Sequence, residues 1–463
     1  MVAPSSENLA AALLGPGERL RELCFEARSR KWYSGEDLRA GVERHAQALA
    51  SPRKALVLCF CDSTFESLTA YLGSLLAGHA VILADRDLDP ALAANLVGPY
   101  RPDFIFGART DPGPDYAALN GGSLWRATRP FEHCIHPHLA VLLSTSGSTG
   151  SPKLVRLSAA NVLANATQIR AALAIGPADR AMAVLPMYYS YGLSVINSHL
   201  VAGASFALCG ESLTSAEFWN VVRDQRCTSL AGVPYSFQVL RRLDLAKLDV
   251  PSLATLTQAG GRLEPNLISM FHEVMQSRRG RFFVMYGQTE ATARMAVLPP
   301  DQVRANLGGV GYAVPGGEFR IEEGEIVYTG PNVMMGYASG PEDLARGDEL
   351  RGRLRTSDLG YLNKAGCLFV TGRANRFCKV YGLRLNLDEV ESMFRAHGPA
   401  AVVENGEGLV VYCEHGSDAD FQSYSRQVAR KLGLNPAVFR FQRVDSMPLT
   451  SRGKPDYRRL RAL

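Results

Sequence analysis

Short apolar runs alternate with amphipathic stretches over most of the first 320 residues. KALVLCFC (54–61) is apolar after its first residue, as a buried strand is, and STFESLTAYLGSLLAG (63–78) has helical spacing and ends on glycine. HAVILAD (79–85) is another apolar run, so the three segments predict a β-α-β unit. Further strands are predicted at PDFIFG (102–107), HLAVLLS (138–144), RAMAVLP (180–186), ASFALCG (204–210), ATLTQAGG (254–261) and RFFVMYG (281–287). The pattern predicts an α/β fold with mixed, largely parallel sheets flanked by helices.

The pattern changes near residue 320, because GEFRIEEGEIVYTGPNVMMGY (317–337) alternates as antiparallel strands do. This segment predicts a β-rich subdomain. A smaller α+β unit is predicted from the strand GCLFVTGR (366–373), the helix NLDEVESMFRAHG (386–398) and the strand GLVVYCE (408–414). Placing the boundary within TGRANRF (371–377), we predict a large N-terminal domain at 1–374 and a small mobile C-terminal domain at 375–463.

Composition excludes disordered and fibrous classes, since 46% of the 463 residues are hydrophobic and 21% are charged. The net charge of +5 is small, and the Lys and Arg residues are scattered along the chain, which does not favour a nucleic-acid partner. The nine cysteines are odd in number and include no CxxC pair, as is usual in a reducing compartment. The N-terminus lacks a signal-peptide pattern, and no run approaches the roughly 18 apolar residues of a membrane helix. We expect a cytoplasmic protein with no membrane partner.

The segment LLSTSGSTGSPKLVRLS (142–158) carries a cluster of Ser, Thr and Gly directly after a predicted strand. Successive backbone N–H groups in such a turn can surround phosphate oxygens, and Lys153 adds a positive charge. The segment does not match the GxxxxGK[ST] pattern of P-loop proteins. Its composition alone fits a polyphosphate site or a flexible surface loop equally well.

Five motifs together resemble the adenylate-forming superfamily of acyl-CoA synthetases, nonribosomal-peptide adenylation domains and luciferases. They occur in the order of that family and span nearly the whole chain. The motifs are STSGSTGSPK (144–153), YGQTEAT (286–292), RTSDLGY (355–361), GRANRFCKVYGLRLNLDEVE (372–391) and LTSRGKPDYRRL (449–460). The resemblance implies a two-step reaction, in which a carboxylate attacks ATP to give acyl-AMP and a nucleophile, commonly a thiol, then displaces AMP.

The resemblance also implies roles for individual residues, with ATP and Mg²⁺ as cofactors. Thr289 would donate to the α-phosphate and Glu290 would ligate Mg²⁺, which binds well to one carboxylate and phosphate oxygens. Lys454 would bridge the carboxylate and the α-phosphate in the adenylation transition state. The loop implied to hold the β- and γ-phosphates contains Thr145, Ser146, Gly147, Ser148, Thr149, Gly150 and Lys153.

The nucleoside would bind at three further motifs. Tyr286, followed by Gly287, would lie against adenine, and Gly260 and Gly261 would allow a close backbone approach. Asp358 would accept hydrogen bonds from the ribose hydroxyls, and Arg373 would assist it. An isolated aspartate of this kind is more often a turn residue, so these assignments depend on the motifs occurring together.

In the family the C-terminal domain rotates between the two steps, so that a different face reaches the site. The hinge position, usually Asp or Lys, is Asn375 here. Lys379 and Gly382 match residues that line the thiol-acceptor tunnel of relatives. The glycine that usually precedes the ribose aspartate is replaced by Ser357.

The acyl pocket implied by the family is aromatic, with Tyr189, Tyr191, Tyr235 and Phe237 in its walls. Such walls fit an aryl or a short to medium aliphatic acid, although aromatic residues in these segments also fit plain core packing. The position that carries Asp in α-amino-acid adenylation domains is Ser190, which would leave an α-ammonium without a counter-charge. An α-amino acid substrate is therefore disfavoured.

The acceptor is predicted to be coenzyme A or a free-standing carrier protein. Two alternatives stay open: an adenylate-forming amide ligase, and a nucleotide-binding regulator without catalysis. FEHCIHPH (131–138) offers Cys134 with three histidines, but such spacings in a loop before a strand are more often incidental than metal-binding, and no second ligand group accompanies them.

Overall fold

The computed structural model describes residues 5–17, 20–119, 122–132, 134–144, 153–373, 376–380, 383–395, 398–405, 408–432, 434–450 and 455–463. Within these residues, no helix is long and apolar enough to cross a lipid bilayer. The helices are α1 (Ser6–Leu14), α2 (Gly35–Ala48), α3 (Phe65–Leu76), α4 (Pro90–Tyr100), α5 (Ala159–Leu173), α6 (Ser190–Ala202), α7 (Ala216–Asp224), α8 (Pro234–Arg242), α9 (Pro265–Ser277), α10 (Leu387–Arg395), α11 (Asp418–Leu432) and α12 (Tyr457–Arg461).

The strands, numbered in chain order, are β1 (Cys24–Glu26), β2 (Lys31–Tyr33), β3 (Leu56–Cys61), β4 (Ala80–Asp85), β5 (Phe104–Phe106), β6 (Tyr116–Leu119), β7 (Leu124–Ala127), β8 (Leu139–Ser144), β9 (Leu154–Ser158), β10 (Arg180–Ala183), β11 (Ser205–Leu208), β12 (Ser229–Gly232), β13 (Thr255–Gln258), β14 (Arg281–Tyr286), β15 (Ala296–Leu298), β16 (Tyr312–Ala313), β17 (Glu318–Glu322), β18 (Glu325–Thr329), β19 (Gly336–Ala338), β20 (Arg353–Leu362), β21 (Leu368–Arg373), β22 (Phe377–Val380), β23 (Leu383–Asn386), β24 (Ala400–Asn405), β25 (Gly408–Cys413) and β26 (Phe439–Arg443).

Two large sheets dominate the first 340 residues. One has the order β16-β15-β14-β13-β12-β10-β11-β1-β2, and the other has the order β19-β9-β8-β4-β3-β5-β7-β6. The inner strands of each sheet pair in parallel, whereas the strands toward both edges pair antiparallel. The predicted β-α-β unit is present, since β3 and β4 are parallel neighbours and α3 connects them. The predicted fold class is confirmed.

The main hydrophobic core lies between these two sheets. It joins Val57 and Val141 of one sheet with Ala181 and Phe206 of the other, together with residues of α1, α3, α5 and α6. Helix α6 is buried at every position except Val201. A helix that is buried all round belongs to the interior of a large domain. Polar side chains on α6 therefore face protein, not solvent.

The later residues form smaller sheets with their own cores. Strands β17, β18, β20 and β21 make the antiparallel sheet that was predicted from the change of pattern. Beyond residue 376, β22 and β23 form a hairpin, and β24, β25 and β26 form a second small sheet. Two core clusters draw their buried residues only from 378–460. The boundary at 374/375 falls on residues outside the described ranges, so it stays a prediction.

Candidate active site

The carboxyl end of β14 is the centre of the candidate site. Residues 287–292, which follow this strand directly, are named the TE turn here. The turn requires glycine at its start, because a Cβ on Gly287 would stand 1.7 Å from the carbonyl oxygen of Ala293. Thr292 adopts φ 64° and ψ −58°, a conformation that a β-branched residue rarely holds. Its hydroxyl donates to the carbonyl of Asn332 over 2.7 Å, which anchors the turn.

Four side chains form a closed polar group, named the Asp358 cluster: Asp358, Tyr286, Gln288 and Arg373. Tyr286 Oη donates to Asp358 Oδ2 at 2.5 Å, and Gln288 Nε2 donates to the same oxygen at 2.6 Å. Arg373 Nε donates to Asp358 Oδ1 at 3.2 Å, across the paired strands β20 and β21. Burial, and after it the charge of Asp358, raise the pKa of Tyr286 well above its ordinary value, so the phenol stays protonated and donates. The cluster joins three of the predicted nucleoside residues.

Ser357, next to Asp358 in the chain, adopts a strained backbone conformation. Its φ of 58° lies in the left-handed region, which L-residues other than Asn and Asp rarely occupy. Its backbone N–H donates to Glu325 Oε1 at 2.9 Å, and Arg355 contacts the same carboxylate. Serine in place of the usual glycine therefore leaves strand β20 continuous, but with a strained backbone at position 357.

A second polar chain reaches the predicted magnesium ligand. Tyr337 Oη donates to Glu290 Oε1 at 2.9 Å, and Lys153 Nζ lies 3.4 Å from the centroid of the Tyr337 ring. Burial, followed by the charge of Glu290, raises the pKa of Tyr337, which keeps this donor protonated. One oxygen of Glu290 is held by Tyr337 and the carboxylate is half-buried, which suits a Mg²⁺ ion that takes one protein carboxylate beside phosphate oxygens.

Thr289 of the TE turn faces the first residue of α6. Its hydroxyl lies 3.1 Å from that of Ser190. The aromatic residues predicted for the acyl pocket are close by: Tyr189 precedes α6, and its ring centroid lies 6.2 Å from that of Tyr191. Gly260, with φ 85°, lies against Tyr189, because a Cβ there would stand 2.6 Å from the Tyr189 hydroxyl. These contacts bring Gly260 beside the aromatic pair.

The remaining predicted pocket residues lie on α8 and differ in exposure. Phe237 is 1% exposed and packs with Phe271 and Phe282, in a core cluster separate from that of Tyr189 and Tyr191. Tyr235 is 44% exposed. Gly261, next to the start of α8, is exposed. The pocket roles of Tyr235 and Phe237 stay predictions.

Several predicted site residues lie outside the described residues. These are Thr145, Ser146, Gly147, Ser148, Thr149 and Gly150 of the loop, the hinge Asn375, Gly382, and Lys454. Lys379 lies on β22, but its side chain is not described. His133 of the histidine cluster is not described either, and no group of three His, Cys, Asp or Glu side chains suited to a metal occurs in the described part of the chain.

Four residues of the site were not predicted: Gln288, Tyr337, Arg294 and Ser194, whose hydroxyl accepts a hydrogen bond from Arg294. Gln288 and Tyr337 lie inside the segments YGQTEAT (286–292) and GEFRIEEGEIVYTGPNVMMGY (317–337), which were selected for other features, and Arg294 is the second residue after the TE turn. A signal for Arg294 was available, since it is a single charge in the apolar run ATARMAVL (291–298).

Comparison with known proteins now identifies the family. The family model "AMP-binding enzyme" matches residues 18–338, and the chain belongs to this family, which confirms the resemblance to adenylate-forming enzymes. Sulfoacetate–CoA ligase of Cupriavidus necator is 30% identical over 341 residues, covering 68% of this chain and 65% of the relative. Luciferin 4-monooxygenase of Nipponoluciola cruciata is 26% identical over 358 residues, covering 70% and 63%.

Solved structures share the fold over nearly the whole chain. The o-succinylbenzoate CoA synthetase of Bacillus subtilis, in complex with its acyl-adenylate intermediate, superposes with a TM-score of 0.77 at 19% identity, covering 98% of this chain and 97% of that one. The curated relatives are matched less fully, because the aligned part spans only 52% to 65% of their length.

Proposed function

We propose that this protein activates a carboxylic acid by ATP-dependent adenylation and transfers the acyl group to a thiol, coenzyme A or a separate carrier protein. The observation that carries the proposal is the TE turn, in which Thr289 and Glu290 are each held by a residue from a different segment, Ser190 and Tyr337. The sulfoacetate–CoA ligase named above joins an acid to coenzyme A, which supports the same class of reaction here. We further propose a cytoplasmic location.

The residues fit a reaction in which charge accumulates on phosphate oxygens. ATP with Mg²⁺ would supply the electrophilic phosphorus and a cation that neutralises the phosphates. Glu290 would hold the metal, while Tyr337 fixes one of its oxygens. Lys153, located over the Tyr337 ring, adds positive charge to the same end of the site. Thr289 would orient the reacting phosphate, and Asp358 would accept from the ribose.

The proposed second half of the mechanism depends on the C-terminal residues. Lys454 would bridge the attacking carboxylate and the phosphate during adenylation, and rotation about Asn375 would then bring Lys379 and Gly382 toward the thiol. Lys454→Ala should remove acyl-AMP formation while thioester formation from supplied acyl-AMP continues. Equal loss of both steps would contradict this division of roles.

The proposal is tested by pyrophosphate release over a panel of aryl and aliphatic acids. Acid-dependent release is the expected result, and a second arm with coenzyme A, a phosphopantetheinylated carrier protein or an amine then identifies the acceptor. Transfer to the amine alone would show an amide ligase. Absence of release with every acid, despite tight binding of ATP, would show a regulator.

The metal assignment has its own variant pair. Glu290→Gln keeps an acceptor for Tyr337 but removes the negative charge, so the Mg²⁺ concentration needed for half-maximal pyrophosphate release should rise at least tenfold. Glu273→Gln, at an exposed position of α9, is the matched control and should leave the requirement unchanged. Identical Mg²⁺ dependence in both variants would remove Glu290 from the metal site.

A further inference from the structure

Arg294 is a fully buried cation, and no acidic side chain among the described residues pairs with it. It lies between the TE turn and β15, and its exposed fraction is 1%. Its guanidinium carbon stands 3.9 Å from the centroid of the Tyr191 ring, Nη1 donates to Ser194 Oγ at 3.1 Å, and Nε faces Met285 Sδ at 3.3 Å. Two of these three partners are on α6, beside the predicted acyl pocket.

These contacts use only some of the N–H donors of the Arg294 guanidinium. Arginine has five N–H donors in a planar fork that matches a carboxylate, and Nη2 makes no hydrogen bond within the described residues. A buried charge is stable only when it is paired and hydrogen-bonded, and a ring face with one hydroxyl replaces little of the lost hydration. Burial therefore lowers the pKa of Arg294, and an anion at the guanidinium would relieve that cost.

Arg294 also borders an internal cavity with further unmet polarity. The cavity measures about 30 Å³, on the order of two water molecules. His199 lies in its wall with 4% exposure, and its Nε2 has no partner among the described residues, since the Nδ1 side of the ring faces the carbonyl of Val195. Arg281, by contrast, also lines the cavity but is bonded to Leu173 O and Thr255 Oγ1. Arg294 thus lies in the wall of a small, mostly apolar cavity that also contains His199 and Asp179, and neither of these side chains bonds to the guanidinium.

Helix α6 gives the distance between the two ends of a ligand. Ser190 contacts Thr289 at the reacting end, and Ser194, one turn later, contacts Arg294. Four residues of α-helix rise roughly 6 Å. An acid whose reacting carboxylate lies at Thr289 would therefore reach Arg294 with a group a few carbon atoms away.

We propose that Arg294 binds a second oxyanion at the far end of the substrate, so that the acid activated here is a short dianion, such as a dicarboxylate or a sulfonated carboxylate. The proposal rests on the function proposed above and narrows its substrate. The aromatic walls alone predicted an aryl or aliphatic acid, and the inference restricts this prediction to an acid with an anionic group at each end. The carbon chain between the two anionic groups would lie beside Tyr189 and Tyr191.

The test compares acids that differ only at the far end. Pyrophosphate release is measured with glutarate, its mono-amide, valerate and 4-sulfobutyrate, using the wild type, Arg294→Met, Arg294→Lys and Arg281→Met. In the wild type, kcat/KM should be at least 100-fold higher for glutarate or 4-sulfobutyrate than for valerate, and the preferred one of the two identifies the oxyanion. Arg294→Met should remove this ratio, Arg294→Lys should restore part of it, and Arg281→Met should keep it.

A binding arm keeps the inference separate from the reaction. Thermal stabilisation of the full chain by glutarate or 4-sulfobutyrate, in the presence of a non-hydrolysable ATP analogue, should occur in the wild type and Arg281→Met but not in Arg294→Met. If no acid releases pyrophosphate while this pattern holds, the proposed function fails and the anion site stands. A preference for valerate that Arg294→Met leaves unchanged would overturn the inference, and so would stabilisation by the dianions that survives in Arg294→Met. Should Arg294→Met fail to fold, an unchanged ratio in Arg294→Lys would have the same meaning.

Discussion

Two buried charges on opposite sides of the TE turn differ in how completely the protein satisfies them. Asp358 accepts hydrogen bonds from Tyr286, Gln288 and Arg373, which use three of its roughly four lone-pair sites. The Arg294 guanidinium contacts a hydroxyl, a sulfur atom and a ring face, and it forms no ion pair with a carboxylate of any described residue. We call the Asp358 carboxylate closed, because protein donors occupy most of its acceptor sites. We call the Arg294 guanidinium open, because it has no anionic partner among the described residues.

This difference assigns separate roles to the two charges: Asp358 would position the nucleotide, and Arg294 would select the acid. A charge that is closed by its neighbours keeps one geometry with or without ligand, as a site for an invariant cosubstrate requires. An open charge is costly until a ligand completes it, so it favours ligands that carry the matching group. We therefore expect variants of the Asp358 cluster to change nucleotide binding for every acid, and variants around Arg294 to change which acid is used.

The largest effect is expected where both regions are joined. A Cβ on Gly287 would overlap the carbonyl of Ala293 and stand 2.9 Å from the Cα of Arg294, so Gly287→Ala must move the TE turn and the arginine together. We expect a loss of about 3 kcal/mol in the free energy of unfolding, at the upper end for overpacking, and at least a 100-fold lower rate of pyrophosphate release.

Urea unfolding and pyrophosphate release check the Gly287→Ala variant. Gly176→Ala is the control, because a Cβ at Gly176 meets nothing within 4 Å and the residue has no positive φ. Near-normal activity of Gly287→Ala would show that the two regions are not coupled through this turn.

The sequence predicted the fold well where one local pattern decided the structure. The buried strands β3, β4 and β14 each contain at least five consecutive apolar residues, because both faces of such a strand are covered, and this run alone predicts a strand. The short strands β6 and β7, at one end of their sheet, were not predicted, because four residues of mixed burial carry no clear period.

The site was predictable as far as its motifs reach. Tyr286, Asp358 and Arg373 were found through the family resemblance, and the structure joins them. Tyr337 and Ser194 were not found, because their partners lie 47 and 100 residues away and a hydrogen bond across such a distance leaves no periodic signal. The closed or open state of a buried charge depends on these distant contacts, so only the structure shows it.

Asp358→Asn should produce the largest effect confined to the closed side. The amide keeps one acceptor oxygen, but Arg373 loses its counter-charge and two donors compete for fewer lone pairs, which costs about 1–3 kcal/mol for a buried unmatched group. We expect KM for ATP to rise roughly tenfold to 100-fold, with the preference among acids unchanged. Competition binding of a nucleotide analogue measures the effect, and a changed acid preference would contradict the separation of the two regions.

Ser194→Ala is the corresponding change on the open side. It removes the hydroxyl that orients Nη1 of Arg294, while the Tyr191 ring and Met285 keep the side chain in place. We expect a threefold to tenfold lower kcat/KM for dianionic acids, in line with about 1 kcal/mol for one hydrogen bond, and no change in KM for ATP. Ser198→Ala, one turn further along α6, is the control; an equal effect there would point to a general loosening of the helix.

The smallest effect is expected at the backbone beneath Asp358. Ser357 pays for its left-handed φ of 58°, and the N–H that contacts Glu325 belongs to the backbone, so glycine keeps that bond. Relief of the strain, less the greater entropy of unfolded glycine, should give Ser357→Gly about 0.5–1 kcal/mol of added stability in urea unfolding. Ser357→Ala retains a Cβ and should gain nothing. If Ser357→Gly and Ser357→Ala have equal free energies of unfolding, the positive φ at this position does not destabilise the protein. If only Ser357→Gly is more stable, and its KM for ATP is unchanged, the side-chain hydrogen bonds of the Asp358 cluster are sufficient to position Asp358.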